Sequence, residues 1–225
     1  MTRLGSALAL GAFLLLLPSC RRSRVVVRPS SPLATQTLSA AQNRTCVLHQ
    51  SKVTCVGQLG SRVSFVPVSI PGTEGALAID DGGAFACVIR ADRTVACFGE
   101  RAVPVPAVNN AVQLAVGRSH GCARLGDGHV NCWAANAAAI RLPSLDSVTD
   151  LAAHLDRTCA VRRDGSLWCW SVGGAPSRVP TKGRAVRVTL APEGGCVAHV
   201  DGSVRCFSSA GLPMPSPRFT RVRDL

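Results

Sequence analysis

Ten of the eleven cysteines fall into five pairs of short, nearly constant separation: Cys46/Cys55, Cys87/Cys97, Cys122/Cys132, Cys159/Cys169 and Cys196/Cys206. The pairs recur every 35–41 residues along a chain of 225. A fixed period of that size marks one small supersecondary unit copied in tandem. A unit this short cannot bury enough apolar surface to stand alone, so the copies have to stack on one another. Paired cysteines also point to an oxidising compartment.

The positions around the cysteines set the geometry. Two residues before each second cysteine stand Val53, Val95, Val130, Leu167 and Val204, and directly after it Val56, Phe98, Trp133, Trp170 and Phe207. Directly after each first cysteine come Val47, Val88, Ala123, Ala160 and Val197, and eight residues before it Leu38, Ile79, Leu114, Leu151 and Val188. Adjacent strand positions face opposite ways, and here both are apolar. Such strands are buried on two faces, as in sheets stacked face to face around a ring.

The turns agree with that reading. Asp92, Asp127, Asp164 and Asp201 each follow a first cysteine by five residues, and Gly128, Gly165 and Gly202 follow three of them. A three-residue loop with glycine in the left-handed position closes a hairpin in which Cys159 faces Cys169. The first unit has one residue fewer, and a two-residue loop at Gln50–Ser51 restores the same opposition. Opposed residues of an antiparallel pair lie within disulfide reach, so each pair is expected to form an intra-hairpin bridge. Arg93 stands where the other turns have glycine, which predicts local strain. Zinc is disfavoured, because structural zinc ligands are spaced by two to four residues.

The apolar content is 47% with only 4% aromatic residues and no tyrosine, so the core rests on Val, Ala and Leu. The formal net charge of +12 is carried almost wholly by arginine, with Lys52 and Lys182 the only lysines. The arginines of the repeat region are spread singly and accompany no nucleic-acid motif, which argues against DNA or RNA as partner.

Residues 1–19 read as a secretory signal, with Arg3 ahead of the apolar run Leu8–Leu17. The segment Leu17-Pro18-Ser19-Cys20 resembles a bacterial lipobox, which implies cleavage before Cys20 and lipidation of its thiol. That assignment also accounts for the one cysteine left over from the five pairs. Residues 20–35 then form a basic tether carrying Arg21, Arg22, Arg24 and Arg28, leading into a repeat domain over 36–225. Arginine directly after the lipidated cysteine favours the outer over the inner membrane.

The run Ala111–Ala123, continued by Gly126-Asp-Gly-His-Val-Asn-Cys-Trp133, resembles repeats of the regulator of chromosome condensation (RCC1-like) family, in particular its secreted, cysteine-paired bacterial branch. The resemblance covers about residues 36–225. It implies an all-β fold, a β-propeller of four-stranded blades, here five short ones with one disulfide each. Relatives usually have seven blades, so five imply a compact ring or an open or assembling fragment; the two ends of the repeat region meeting at a repeat boundary favours the ring. Only the third unit keeps the family histidine two residues before its first cysteine (His120); the others have Arg44, Phe85, Arg157 and Gly194. None of the functional residues of relatives maps onto a matching motif here.

Sites are sparse. The five histidines occupy unrelated repeat positions without metal-ligand spacing, and Asp80-Asp81-Gly82-Gly83 reads better as a polar turn than as a calcium loop. Trp168, beside Cys169 and Trp170, is either core or an exposed anchor for a partner. No serine lies in a nucleophile elbow, and no metal or cofactor site is expected. The expected function is therefore a non-enzymatic binding or scaffold module, membrane-anchored outside the cytoplasm, that recognises a protein or envelope ligand through propeller loops. The competing expectations are an envelope hydrolase using the channel and an inhibitor of an exported enzyme.

Overall fold

Each cysteine pair closes the central hairpin of a four-stranded antiparallel sheet. The computed structural model describes residues 38–99, 102–134 and 138–215. Blade 1 contains β1 (Leu38–Ala41), β2 (Arg44–His49), β3 (Lys52–Leu59) and β4 (Arg62–Ser69). Blade 2 contains β5 (Ala76–Asp81), β6 (Ala86–Arg90), β7 (Val95–Phe98) and β8 (Ala102–Pro104). Blade 3 is built from β9 (Ala111–Val116), β10 (His120–Leu125), β11 (Val130–Ala134) and β12 (Ile140–Arg141). Blade 4 comprises β13 (Val148–His154), β14 (Arg157–Arg162), β15 (Leu167–Ser171) and β16 (Ser177–Val179). Blade 5 comprises β17 (Ala185–Ala191), β18 (Gly194–His199), β19 (Val204–Ser208) and β20 (Pro213–Met214). Every sheet pairs its strands in sequence order, from an inner first strand to an outer fourth.

Within the central hairpins the cysteines are direct partners: Cys46↔Cys55, Cys87↔Cys97, Cys122↔Cys132, Cys159↔Cys169 and Cys196↔Cys206. All five pairs are disulfide-bonded, with Cα atoms 3.9–4.1 Å apart, as at the close, non-hydrogen-bonded sites of an antiparallel ladder. Each bridge closes a loop of about ten residues, which the chain-entropy model values at roughly 2–3 kcal/mol.

The turn chemistry is as the sequence dictates. In the four aspartate turns the Asp Oδ1 accepts the backbone N–H two residues on, from Thr94, His129, Ser166 and Ser203. This local bond preorganises the loop. Gly165 then takes φ +82°, and Arg93 is forced to φ +64° at the equivalent place. Gln50 and Ser51 both adopt left-handed backbone, at φ 47° and 58°, making the two-residue loop of blade 1.

Four apolar seams join the blades in order. The face of blade 1 carrying Cys46, Leu48, Val53 and Cys55 packs on Ile79, Val88 and Phe98 of blade 2. The same pairing of faces joins blade 2 to 3, 3 to 4 and 4 to 5. Polar side chains reinforce it: the Asp80 carboxylate accepts the Val116 N–H at 2.7 Å, and Asp150 accepts the Val188 N–H at 2.8 Å.

The expectation of strands buried on both faces holds for blades 2–4, weakens in blade 5, where burial alternates along β17 and Cys196 and Cys206 are only half-buried, and fails for blade 1. Leu38 and Val47 are 57% and 42% exposed, although their counterparts Ile79 and Val88 are fully buried. Along β2 burial alternates, with Thr45, Val47 and His49 exposed. Among the described residues no apolar cluster joins blade 5 to blade 1, and none of them covers Leu38 and Val47 as the preceding blade covers Ile79 and Val88. The signal segment, Cys20 and the tether lie outside the described residues.

Arg93 provides a test of the turn assignment. A left-handed backbone costs a non-glycine residue about 1–2 kcal/mol, so Arg93→Gly is expected to raise unfolding stability by roughly 1 kcal/mol. Denaturant melts of the oxidised protein would measure it, and an unchanged or lowered midpoint would contradict the assigned turn.

Candidate binding site at the channel mouth

The inner strands of all five blades end around one cavity of about 560 Å³. Ala41 closes β1, Asp81 β5, Val116 β9 and His154 β13 there, while Thr189 and Leu190 come from β17. The loops that follow these strands form its rim, including Asn43, Gly82–Ala84, Arg118 and Leu155. A cavity lined by five blades is the mouth of the central channel. Its shape is fixed by the seams, because the inner strands that line it pack on their neighbours.

Polar residues of the rim are tied across blade boundaries. Asp81, buried, takes a bidentate pair of 2.7 Å bonds from the Arg44 guanidinium, whose ring-facing side lies 6.0 Å from the Phe98 centroid. Fork-to-fork pairing of this kind fixes orientation as well as charge. Asp80 accepts the backbone N–H groups of Val116 and Asp81 and the Ser39 hydroxyl. Burial nevertheless pushes its carboxyl up to about 6, against the lowering effect of those hydrogen bonds. On the next boundary Asp156 accepts from the Ser119 hydroxyl at 2.8 Å and from Arg118 at 3.1 Å, and the serine bond leads in holding its carboxyl below the ordinary range.

The repeat position two residues before the first cysteine shows its role here. Arg44 bonds Asp81 of blade 2, His120 Nε2 lies 2.5 Å from the Thr158 hydroxyl of blade 4, and the Arg157 guanidinium donates to the Ser209 carbonyl of blade 5. Phe85 packs into the cluster between blades 2 and 3. Each reaches into the following blade. The last unit has Gly194, where any Cβ would strike the Phe207 carbonyl. Four different side chains thus do one job, which a motif search centred on histidine does not reveal. The available sequence signal was the spacing: Arg44 and Asp81, or His120 and Thr158, are complementary groups about one repeat apart.

Asp80 and Asp81 correct the polar-turn reading. They end a strand, partly and fully buried respectively, and their oxygens are engaged by the seams. Among the described residues no group of three or more His, Cys, Asp or Glu is arranged to hold a metal. Trp168 is half-buried against the same blade 3–4 cluster as Trp170, donating its indole N–H to the Ser166 hydroxyl under the Arg162 guanidinium. His49, His129 and His199 sit at hairpin turns away from the channel mouth, whereas His154 lines it. Ser203 Oγ lies 3.4 Å from His199 Nδ1, yet it belongs to the same turn that Ser166 and Thr94 make with their aspartates. A second cleft of about 790 Å³ lies between blades 4 and 5, bordered by Arg157, Trp170, Arg178 and Pro192.

With this geometry in place, comparison with solved structures shows an RCC1-like β-propeller fold. Prp20p of Saccharomyces cerevisiae, the yeast RCC1, superposes with a TM-score of 0.66 at 13% identity, over 83% of this chain and 63% of that one. PorZ, a bacterial surface component of the type-IX secretion system of Porphyromonas gingivalis, gives 0.58 at 15% identity, over 81% and 28%. BamB of Moraxella catarrhalis gives 0.55 at 13% identity, over 76% and 57%. The chain therefore spans less than two thirds of the length of each. No family model and no curated protein matches the sequence.

Asp80 supplies a pH signature. Its folded pKa lies above the unfolded value, so the native state holds the extra proton between about pH 4 and 6 and the carboxylate is a net cost above that window. Asp80→Asn should therefore gain stability over the parent as pH rises through this window, by about 1–3 kcal/mol, and level off above it. Paired melts across pH 4–7 would show it; a difference independent of pH would refute the assignment.

Proposed function

We propose that the protein is a binding or scaffold module of a bacterial envelope, exported by residues 1–19, lipidated at Cys20 and held by the tether 20–35. It recognises a protein or an envelope ligand through the loops at the channel mouth. The observation that carries this reading is the convergence of five blades on one polar cavity whose side chains are locked across the seams. Arg118 and His154 line that mouth, and the Asp156 carboxylate is taken up by Arg118 and the Ser119 hydroxyl, a set suited to recognition more than to bond cleavage. Five disulfides fit residence outside the cytoplasm. The binding properties of Prp20p toward Gsp1p and histones, and the surface role of PorZ, support a propeller that works through contacts with other proteins.

Two measurements test the reading together. Cys20→Ser should move the exported protein from the membrane to the soluble envelope fraction once membranes are washed in high salt. A photo-crosslinking residue at Asn43 or Arg118 should capture a partner in intact cells, whereas one at Asp92 or Asp201, at hairpin tips away from the mouth, should not. Retention of the Cys20→Ser protein through the high-salt wash refutes the anchor. Adducts confined to the hairpin tips refute the site.

A further inference from the structure

Blade 1 departs from the other four in shape, polarity and charge at one place. Its outer strand β4 runs for eight residues, against two or three for β8, β12, β16 and β20. Between the pairs Gly57↔Ser64 and Cys55↔Val68 the register shifts, so that Phe65, Val66 and Pro67 bulge opposite Val56 alone. The bulge is apolar and open: Phe65 is 89% exposed, Val66 66% and the neighbouring Val63 60%. With Leu38 and Val47, this blade holds five of the twelve large exposed apolar side chains of the described residues. Clustering of that kind marks a surface that meets something other than water.

Charge says what it meets. Glu74 is the first acidic residue of the chain, and the preceding 73 positions carry eight basic ones. Within blade 1, Arg44 is neutralised by Asp81, while Lys52 is exposed. The tether adds Arg21, Arg22, Arg24 and Arg28 and enters the fold at Leu38, on this same blade. We propose that blade 1 is a docking face for an anionic lipid surface, with Val63, Phe65 and Val66 entering the interfacial layer and Lys52 lying among the headgroups. Apolar residues flanked by bases, with no carboxylate to repel the phosphates, are what interfacial binding requires.

A second copy of the chain fits less well. It would cover Leu38 and Val47, the positions that other blades bury in seams, but the bulge has no counterpart in any other blade. Two chains of net charge +12 also repel, and blade 1 offers a basic partner no acid. The docking deepens the membrane-anchored reading and rests on it for orientation: a lipid at Cys20 leaves 17 residues before Leu38, enough to hold this blade against the bilayer.

The test uses the mature chain, residues 20–225, oxidised and carrying Cys20→Ser, so that no lipid anchor contributes. It is expected to co-sediment with vesicles of phosphatidylglycerol and phosphatidylcholine, more weakly in high salt, and not with phosphatidylcholine alone. Phe65→Ser combined with Val66→Ser should weaken that binding about tenfold or more, whereas Val103→Ser, exposed on the outer strand of blade 2, should leave it unchanged. Absence of binding, or equal binding by the double variant, overturns the docking while leaving lipidation at Cys20 to be judged by fractionation. Self-association that the double variant abolishes, in place of vesicle binding, also overturns it and assigns the face to a second copy.

Discussion

A four-stranded sheet of about thirty residues has two apolar faces and no interior of its own, and everything else in this molecule follows from that shortage. Blades 1–4 acquire a core by laying the cysteine-bearing face on the opposite face of the next, and blade 5 by receiving that of blade 4. The disulfide lies in the middle of that contact, with Cys46, Cys87, Cys122 and Cys159 fully buried in the seams. It holds the hairpin in register, so the apolar positions on either side of it arrive at the seam already aligned. With few aromatic residues available, Val, Ala and Leu fill most of the space, and Phe98, Trp133, Trp170 and Phe207 supply the larger pieces.

The sequence was most legible where local chemistry decides structure. Cysteine spacing gave the hairpin register, because a strand pair allows only one alignment in which five bridges form with the same geometry. The aspartate turns and the exception at Arg93 were equally readable, since loop length and backbone sign are local properties. What the sequence did not disclose was relational. Arg44 looked like a departure from a motif until its carboxylate, a repeat away, was placed against it. Leu38 and Val47 occupy core positions by every pattern available to a reader of the chain, and their exposure depends on what stands next to blade 1. Nor did the pattern separate Asp80-Asp81 from an ordinary turn, because their burial comes from neighbouring blades.

The seams also explain why the channel mouth is the place to look for recognition. Side chains there are fixed by groups on adjacent blades, so a ligand meets a preorganised surface and little ordering entropy is lost on binding. The hairpin tips at the aspartate turns are tied to the next blade mainly by backbone bonds, the Ala111, Val148 and Ala185 N–H groups donating to the Arg93, Gly128 and Gly165 carbonyls. Polar residues at the mouth are thus part of the fold's connection as well as of its surface, and substitution of a seam residue such as Arg44 would disturb both.

The most direct measurement of this account is peptide mapping of the native protein without reductant. It should return five linkages, each joining the two cysteines of a single hairpin, with any eleventh cysteine outside them. Free thiols among the ten, or bonds joining cysteines of different blades, would contradict the architecture.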